Sequence, residues 1–327
     1  MLALDIRTEH WPFKEPFRIT NHVFTHADVV VVVLRDGELR AFGEASGVYY
    51  RGETVDSVAR QIADVRTAVE RGIDREELRT LLPPGGARNA LDCALWDLEA
   101  KRSRRPVWAL ADLPQPRPLQ TTFTVGAGSP DEMAKAAKAF PAARAIKMKL
   151  TGEHPADCVR AVRAARPDVW LGIDANQGLT RSALENLLPV FRAADVGLIE
   201  QPLPIGADAQ LEGLGSSIPI AADESARELA DLEGLVGCYD VVNIKLDKCG
   251  GLTEGIAIAR KAKELGLKVM VGCMNGTSLA MAPAFLLGQL CEFVDLDSPV
   301  FLEHDREHPA LYSRGEIFCP GNVWGGA

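Results

Sequence analysis

The sequence predicts an α/β protein built around a parallel (β/α)7β barrel of the TIM type, with a smaller α+β unit ahead of it. Two observations lead to this fold class. Beyond residue 120, eight apolar, β-branched segments recur at steps of about 22–27 residues, the length of one strand, one helix and two loops. Before residue 120, strands are followed by helices without regular alternation, which is typical of an α+β unit.

The N-terminal unit is predicted from one hairpin and two helical patterns. Asp36 and Gly37 supply a turn between two strand-like runs. Two later stretches carry apolar side chains at helical spacing, and a proline-rich stretch then predicts a linker. In chain order these are strands 29–34 and 39–43, helices 54–69 and 87–101, and linker 113–118. We therefore expect an α+β capping domain over residues 1–114.

The barrel is expected over residues 115–300. Amphipathic stretches such as 182–193 and 253–265 separate its strands and predict helices. The last strand is followed by a polar tail instead of a clear eighth helix, so we expect residues 301–327 to return to the cap. The eight predicted strands are 121–125, 145–150, 169–174, 196–200, 218–223, 240–245, 267–273 and 291–297.

Composition excludes several classes of protein. The 327 residues carry 36 Lys and Arg against 45 Asp and Glu, a net charge of −9, and no basic run indicates nucleic-acid binding. No apolar stretch is long enough for a signal peptide or a membrane span. The seven cysteines are odd in number and lack metal-site spacing, which favours reduced thiols in the cytoplasm.

Charged side chains follow the predicted strands, at the edge where barrel enzymes place their active sites. Asp174, Glu200 and Asp223 come from three successive strands. Three carboxylates suit one octahedral Mg²⁺ that keeps open positions for a substrate. A single carboxylate at a strand end is most simply a surface residue. Three of them at successive strand ends are better explained as metal ligands. None of the six histidines ends a predicted strand, which argues against a histidine base.

Lysines flank these carboxylates. Lys147 and Lys149 share one face of the preceding strand, and Lys245 ends the sixth strand. Removing a proton α to a carboxylate builds negative charge that nearby cations must stabilise. Two opposed lysines could take the proton from one face and return it to the other. The pattern therefore favours an epimerase or racemase, although the same site could support elimination or cycloisomerisation.

The chain resembles the enolase superfamily, muconate lactonizing subgroup, and within it the dipeptide epimerases, including the L-Ala-D/L-Glu type. Active sites of that superfamily combine a Lys or His base with Mg²⁺, which stabilises an ene-diolate. The resemblance rests on Lys-x-Lys at 147–149, Asp-x-Asn at 174–176, Glu-Gln-Pro-Leu at 200–203, Ala-Asp-Glu-Ser at 222–225, Asn-Ile-Lys-Leu-x-Lys-x-Gly-Gly at 243–251 and Asp-x-Asp at 295–297.

The resemblance implies an isomerase that inverts the α-carbon of the C-terminal residue of a dipeptide. It implies that Lys149 and Lys245 are the acid/base pair, with one Mg²⁺ held by the three carboxylates. It further implies that Lys147 touches the substrate carboxylate and that Asp295 and Asp297 bind the ammonium group. A free ammonium is a natural partner for two neighbouring carboxylates.

The sequence departs from the Ala-Glu pattern in the expected cap loop, residues 20–26. Phe24 stands where those enzymes carry an Arg for the glutamate side chain. We therefore expect a different, apolar second residue packed near Phe24. Tyr49, Tyr50 and Arg51 form a second predicted cap loop, and Tyr49 and Arg51 are further candidates for substrate contact.

Three alternatives remain open at this stage. Within the same fold, the chain could be an N-acylamino-acid racemase, or a cycloisomerase or o-succinylbenzoate synthase-type enzyme. Outside enzymology, it could be a non-catalytic binding barrel. The sequence leaves a homo-oligomer open.

Overall fold

The computed structural model describes residues 2–19, 22–150 and 153–326. Thr20 and Asn21 of the predicted cap loop therefore lie outside the described residues. The cap begins with an antiparallel sheet in the order β1 (Ala3–Ile19), β2 (His22–Asp36) and β3 (Leu39–Ala45). The predicted hairpin between β2 and β3 is present, with Asp36 paired to Leu39.

The long first strand has no counterpart among the sequence predictions. Pro12 and Pro16 interrupt its pattern. Because proline lacks a backbone N–H, it is normally confined to edge strands, strand starts or bulges. β3 pairs with β2 only from Val30 onward, so the β1–β2 ribbon continues alone towards the barrel. We call this ribbon, residues 10–19 and 22–28, the arm. Most of the predicted cap loop is thus β-strand, because cross-strand pairing continues to Ile19 and His22.

The arm bends where extra residues interrupt its register between Pro12 and Phe17. At this bulge Phe13 pairs with Leu302, and Glu303 N donates to Pro12 O at 2.9 Å. Nearer its tip, the arm accepts a hydrogen bond from Ala127 N to Arg18 O at 2.9 Å. These contacts hold the arm across the mouth of the barrel.

The helices of the cap cover one face of the sheet. The predicted helix 54–69 is two helices, because the backbone breaks at Val65. A capping box between Thr54 and Ser57 starts the first of them. The short α3 was not predicted. After a 3-10 turn at Tyr49–Arg51, the helices are α1 (Val55–Asp64), α2 (Arg66–Arg71), α3 (Arg75–Leu81), α4 (Gly86–Ser103) and α5 (Val107–Leu110).

Helix α4 is buried on nearly all sides and joins the cap to the barrel. It approaches β3 so closely that a Cβ on Gly43 would lie 2.0 Å from Ala90 O. From its other face, Asn89 Nδ2 donates to Asp247 Oδ1 at 3.2 Å. The same carboxylate accepts from Ser46 N at 3.0 Å, so Asp247 also fastens the chain that leads to Tyr49.

The barrel sheet has eight parallel strands in sequence order. The two crossovers around its fifth strand carry only short helical turns, unlike the longer helices elsewhere. β4 (Leu119–Gln120) precedes the barrel sheet and lies outside it. The elements of the barrel are β5 (Thr122–Val125), α6 (Pro130–Lys138), β6 (Ala145–Lys149), α7 (Pro155–Ala165), β7 (Trp170–Asp174), α8 (Arg181–Ala193), β8 (Val196–Glu200), β9 (Ile220–Ala222), α9 (Leu232–Leu235), β10 (Val241–Ile244), α10 (Leu246–Cys249), α11 (Leu252–Glu264), β11 (Lys268–Val271), α12 (Ser278–Gly288) and β12 (Phe293–Val294). Further 3-10 turns lie at Asp208–Leu211 and Leu229–Asp231.

Side chains join the first barrel strand to the last. Thr121 Oγ1 accepts from Leu296 N at 3.0 Å, and Thr124 N donates to Asp297 Oδ2 at 2.6 Å. The predicted (β/α)7β barrel with an N-terminal α+β cap is therefore confirmed.

The C-terminal tail returns to the cap, as predicted. It forms α13 (Ser298–Phe301), β13 (Leu311–Ser313) and β14 (Glu316–Phe318), and β14 pairs with β4. Beyond these elements, Trp324 Nε1 donates to Phe42 O at 2.8 Å, and Gly325 N donates to Asp97 Oδ1 at 3.1 Å. Among the described helices, none has both the length and the apolar character needed to cross a bilayer.

Candidate active site

Three buried carboxylates meet at the mouth of the barrel. Asp174 and Glu200 end β7 and β8, and Asp223 directly follows β9. One oxygen from each lies within 4.8 Å of the others. Asn243 Nδ2 donates to Glu200 Oε1 at 2.7 Å and helps to orient that carboxylate. Three hard oxygen donors from three rigid strands fit a Mg²⁺ ion with positions left for a substrate.

The electrostatics of this triad suit a cation. Burial and the neighbouring charge of Asp174 raise the pKa of Glu200 to about 8. Burial also disfavours the charged forms of Asp174 and Asp223, but nearby lysines outweigh it and lower both pKa values. Three like charges in a buried space need positive charge to remain ionised together. A divalent cation would supply it.

Lys149 and Lys245 approach the triad from opposite flanks. Lys149 Nζ lies 2.6 Å from Asp174 Oδ2, and Lys245 Nζ lies 2.5 Å from Asp223 Oδ2. Both side chains are buried. Burial alone would lower the pKa of Lys245, but the charge of Asp223 raises it well above its usual value. That stabilisation of the ammonium form would weaken once Asp223 shares its charge with a metal.

The structure pairs Lys147 with Asp295 through a direct ion pair. Lys147 Nζ also lies 3.2 Å from Glu200 Oε2. Beside them, burial and the charge of Asp295 raise the pKa of Asp297 to about 7. These three predicted substrate-binding residues thus lie together at the mouth, but one of the two carboxylates already has a cationic partner.

An apolar wall closes the site from above. The arm contributes Phe17, Ile19 and Phe24, and the 3-10 turn contributes Tyr49. The rings of Phe24 and Tyr49 meet edge to face, with centroids 5.4 Å apart. The cavity beneath them has the three lysines and Asp223 in its floor.

Arg51 is not among the residues that line this cavity, and its contact with substrate stays a prediction. Its side chain is exposed, and its guanidinium donates to Lys248 O at 3.3 Å, so it fastens the turn to α10.

The sequence predictions gave no role to Lys248, Asn176 and Glu224, which the structure places at the site. Lys248 is fully buried and donates to Asp223 Oδ1 at 2.5 Å. Its place one helical turn after Lys245 was the available signal. Burial and the charge of Asp223 raise the pKa of Glu224 to about 7. The buried polar atoms Tyr50 Oη, Asn176 Oδ1 and Glu224 Oε2 have no hydrogen-bond partner among the described residues. Tyr50, Asn176 and Glu224 line the cavity, where a ligand could satisfy these atoms.

The arrangement can bind an anion beside a metal and exchange a proton on either face of it. A carboxylate substrate would be drawn to the cationic floor, while the arm and the turn make part of the cavity wall apolar. The two lysines lie on opposite flanks. When one is a neutral amine and the other an ammonium, the first can accept a proton and the second can donate one.

Two family models cover most of the chain. The model described as the N-terminal domain of mandelate racemase and muconate lactonizing enzyme matches residues 1–111. The model described as enolase C-terminal domain-like matches residues 131–317.

Two similar proteins are named for closely related reactions, an epimerisation and a racemisation. An L-Ala-D/L-Glu epimerase of Escherichia coli strain K12 is 39% identical over 97% of this chain and 99% of that protein. An N-acetyl-D-glutamate racemase of a Pseudoalteromonas species is also 39% identical, over 91% of this chain and 96% of that protein.

Two solved structures have the same fold as this chain. An enolase family member from Agrobacterium tumefaciens, described as homologous to dipeptide epimerases, was solved with sodium and L-Ala-L-Glu. It has a TM-score of 0.96 at 39% identity and covers 99% of this chain and 100% of that one. A dipeptide epimerase from Methylococcus capsulatus, solved with Mg and L-Arg-D-Lys, has a TM-score of 0.90 at 29% identity. It covers 98% of this chain and 97% of that one.

Proposed function

Because this chain belongs to the mandelate racemase and muconate lactonizing enzyme family, we propose that it is a magnesium-dependent dipeptide epimerase. It is an isomerase that inverts the α-carbon of the C-terminal residue. The observation that carries the proposal is the pair of lysines, Lys149 and Lys245, on opposite flanks of a buried carboxylate triad. A binding barrel has no need of two such amines.

In this proposal Asp174, Glu200 and Asp223 hold Mg²⁺, whose charge would make the α-proton of a bound carboxylate more acidic. One lysine, as the neutral amine, accepts that proton from its face. The other, as the ammonium, donates a proton to the opposite face. Inversion therefore leaves the number of protons in the site unchanged and exchanges the roles of Lys149 and Lys245.

We propose that the second residue of the dipeptide is apolar. The wall facing the cavity is formed by Phe17, Ile19, Phe24 and Tyr49, which offer no cation for an acidic side chain. The Escherichia coli relative acts on Ala-Glu, as its name states. The aromatic wall supports a different preference here, because burying an unpaired carboxylate against apolar rings is costly.

A second candidate is racemisation of N-acylated amino acids. Lys147 already neutralises Asp295, so this part of the site does not require an ammonium group from the substrate. The Pseudoalteromonas relative is named for such an activity. Asp297 favours the dipeptide, because among the described residues it accepts from Thr124 N but forms no ion pair, and an ammonium group would neutralise its buried carboxylate.

The reaction class is tested by isotope exchange. L,L-dipeptides and N-acetyl amino acids are incubated in D₂O with Mg²⁺, and deuterium at the α-carbon is followed by NMR. We expect exchange with inversion at the C-terminal residue of dipeptides. Exchange in N-acetyl amino acids alone would replace the first candidate by the second, and no exchange in either would refute both.

Lysine variants test the two-base assignment. Lys149→Ala and Lys245→Ala should each abolish inversion, because each removes the proton donor or acceptor of one face. Exchange without inversion can survive from the face that keeps its lysine. Lys263→Ala, in an exposed position on α11, serves as the control. Inversion by either active-site variant at the wild-type rate would contradict the assignment.

A dipeptide panel tests the second residue. We expect L-Ala-L-Leu and L-Ala-L-Phe to be epimerised with a higher kcat/KM than L-Ala-L-Glu. A clear preference for L-Ala-L-Glu would overturn the apolar assignment while leaving the reaction class intact.

Cytoplasmic location and assembly into a homo-oligomer stay predictions. The burial of the Cys93, Cys249 and Cys319 thiols is compatible with a reducing compartment. Fractionation of the host cell and light scattering of the purified protein test the two expectations.

A further inference from the structure

The second cluster of metal-ligating side chains lies on the arm, away from the carboxylate triad. It consists of His10, His26 and Asp28, and one ligating atom from each lies within 4.8 Å of the others. His10 Nδ1 is 2.8 Å from Asp28 Oδ1, and His26 Nε2 is 3.1 Å from Asp28 Oδ2. The two imidazole rings are 4.0 Å apart between centroids.

The backbone fixes this arrangement. His10 and Asp28 are paired across β1 and β2, and His26 lies two residues from Asp28 on the same strand. All three side chains therefore share one face of an antiparallel ribbon. Because they come from paired strands and not from a loop, little ordering is left for a ligand to impose.

The ring nitrogens of His26 both lie beside polar groups. Nδ1 lies 2.9 Å from Thr25 Oγ1, and Nε2 lies 3.1 Å from Asp28 Oδ2. In the tautomer that carries its proton on Nδ1, that nitrogen donates to the hydroxyl, and Nε2 presents a lone pair that a cation could share with the Asp28 carboxylate. A metal-binding histidine usually has its second nitrogen held in this way.

We propose that His10, His26 and Asp28 bind a zinc-class transition metal ion at the base of the arm. Two imidazoles and one carboxylate are borderline ligands that suit Zn²⁺ better than Mg²⁺. Bonds of ~2.0–2.2 Å would place tetrahedral ligand atoms roughly 3.3–3.6 Å apart. The observed nitrogen–oxygen distances of 2.8 and 3.1 Å are shorter than this and would have to lengthen when an ion binds. His26 and Asp28 also line a cavity together with Glu53, where water could complete the shell.

The site has a structural consequence for the arm. His10 and Asp28 lie where the ribbon leaves the three-stranded sheet, since β3 pairing with β2 stops at Val30. An ion there would cross-link β1 to β2 just before the segments that carry Phe17 and Phe24 over the cavity. It would stabilise the arm without touching the substrate.

Zinc binding is measured by calorimetry, with Co²⁺ absorption as a second readout, in saturating Mg²⁺ to occupy the carboxylate triad. We expect one ion per chain in the wild-type protein. His10→Gln and His26→Gln should each weaken binding by more than about tenfold, since even loss of an outer-shell partner costs that much. The control His154→Gln, at an exposed histidine elsewhere, should bind like the wild type.

Two further measurements distinguish this site from the carboxylate triad and from a loss of folding. In Glu200→Gln, which damages the triad, the ion should still bind, and circular dichroism should show that all variants are folded. The proposal is overturned if wild-type protein binds no zinc at micromolar concentration, if the His10→Gln and His26→Gln double variant binds as tightly as wild type, or if Glu200→Gln abolishes binding. The first result would mean that hydrogen bonds alone hold the three side chains together.

Discussion

At the scale of single residues, Phe24 bears most directly on the choice of substrate. It faces the cavity from the arm and packs against Tyr49. We expect Phe24→Arg to raise kcat/KM for L-Ala-L-Glu relative to L-Ala-L-Leu by about tenfold or more, because a charge-assisted hydrogen bond contributes ~1.5–3 kcal/mol.

The neighbouring position supplies the control for this change. Val23 is exposed and, as the next residue of the strand, points to the opposite face of the ribbon. Val23→Arg adds the same charge to the arm away from the cavity. Steady-state kinetics with both dipeptides compare the two variants, and an equal shift in both would show that the contact at residue 24 is not the cause.

Residues at strand ends were predictable because parallel strands bring their carboxyl ends to one edge. Lys149, Asp174 and Lys245 could therefore be expected near one another without any structure. Lys248 was given no role from the sequence, because its contact with Asp223 depends on how α10 folds back over the barrel; its spacing from Lys245 was the only signal. The pairing of Lys147 with Asp295 was equally hidden, because it joins the second and eighth barrel strands.

At the scale of elements, the close approach of β3 to α4 controls how the cap is built. A Cβ on Gly43 would meet the backbone of α4 at 2.0 Å, and backbone cannot turn aside as a flexible side chain can. We expect Gly43→Ala to destabilise the protein by about 3 kcal/mol or more, at or beyond the upper end of ordinary overpacking. Chemical denaturation measures the loss.

Gly234→Ala is the matched control, because its added methyl meets nothing within 4 Å. It lies in α9, where alanine is the better helix former, so stability should stay level or rise slightly. Equal losses in the two variants would contradict the steric explanation.

A second element-scale prediction concerns α10, which holds Asp247 against the cap. Burial raises the pKa of Asp247 to about 7. The folded protein therefore keeps a proton that the unfolded chain releases near pH 4, so this group reduces stability as pH rises between those values. Asp247→Asn removes the titration, and its stability relative to wild type should increase by roughly 2–4 kcal/mol from pH 4 to pH 8.

Thermal unfolding at several pH values, without Mg²⁺, checks this sign. The exposed Asp112→Asn is the control and should follow wild type throughout. A difference between Asp247→Asn and wild type that is constant with pH would show that Asp247 does not titrate in this range.

The elements that escaped prediction share a physical reason. Much of β1 is exposed or half-buried, so it carries prolines and charged residues. It therefore lacks the apolar alternation by which a strand is predicted. Helix α3 has only one fully buried side chain, Leu78, and thus leaves almost no periodic pattern. The barrel strands were predictable because each is buried on both faces and reads as a continuous apolar run.

At the scale of the whole molecule, the carboxylate triad couples metal binding to folding. Asp174, Glu200 and Asp223 come together only in the folded barrel, so Mg²⁺ should bind the native state alone. A ligand at a hundred times its Kd adds about 2.7 kcal/mol of stability. We expect chelation to lower the Tm and abolish turnover, and added Mg²⁺ to restore both.

Calorimetry of Asp174→Asn tests the origin of this effect. The variant should lose most of the Mg²⁺-dependent rise in Tm, whereas the exposed Asp195→Asn should keep it. A full rise in Asp174→Asn would mean that Mg²⁺ stabilises the protein from another site. The division into cap, barrel and tail at residues 114 and 300 stays a prediction, which limited proteolysis can examine.

The anchoring of Trp324 and Gly325 to Phe42 and Asp97 has a consequence for biosynthesis. The N-terminal cap emerges from the ribosome well before Trp324 and Gly325 do, so the junction of β3 and α4 acquires these hydrogen bonds only after those two residues are made. The nascent cap should therefore pass through a stage in which this seam is still open to water.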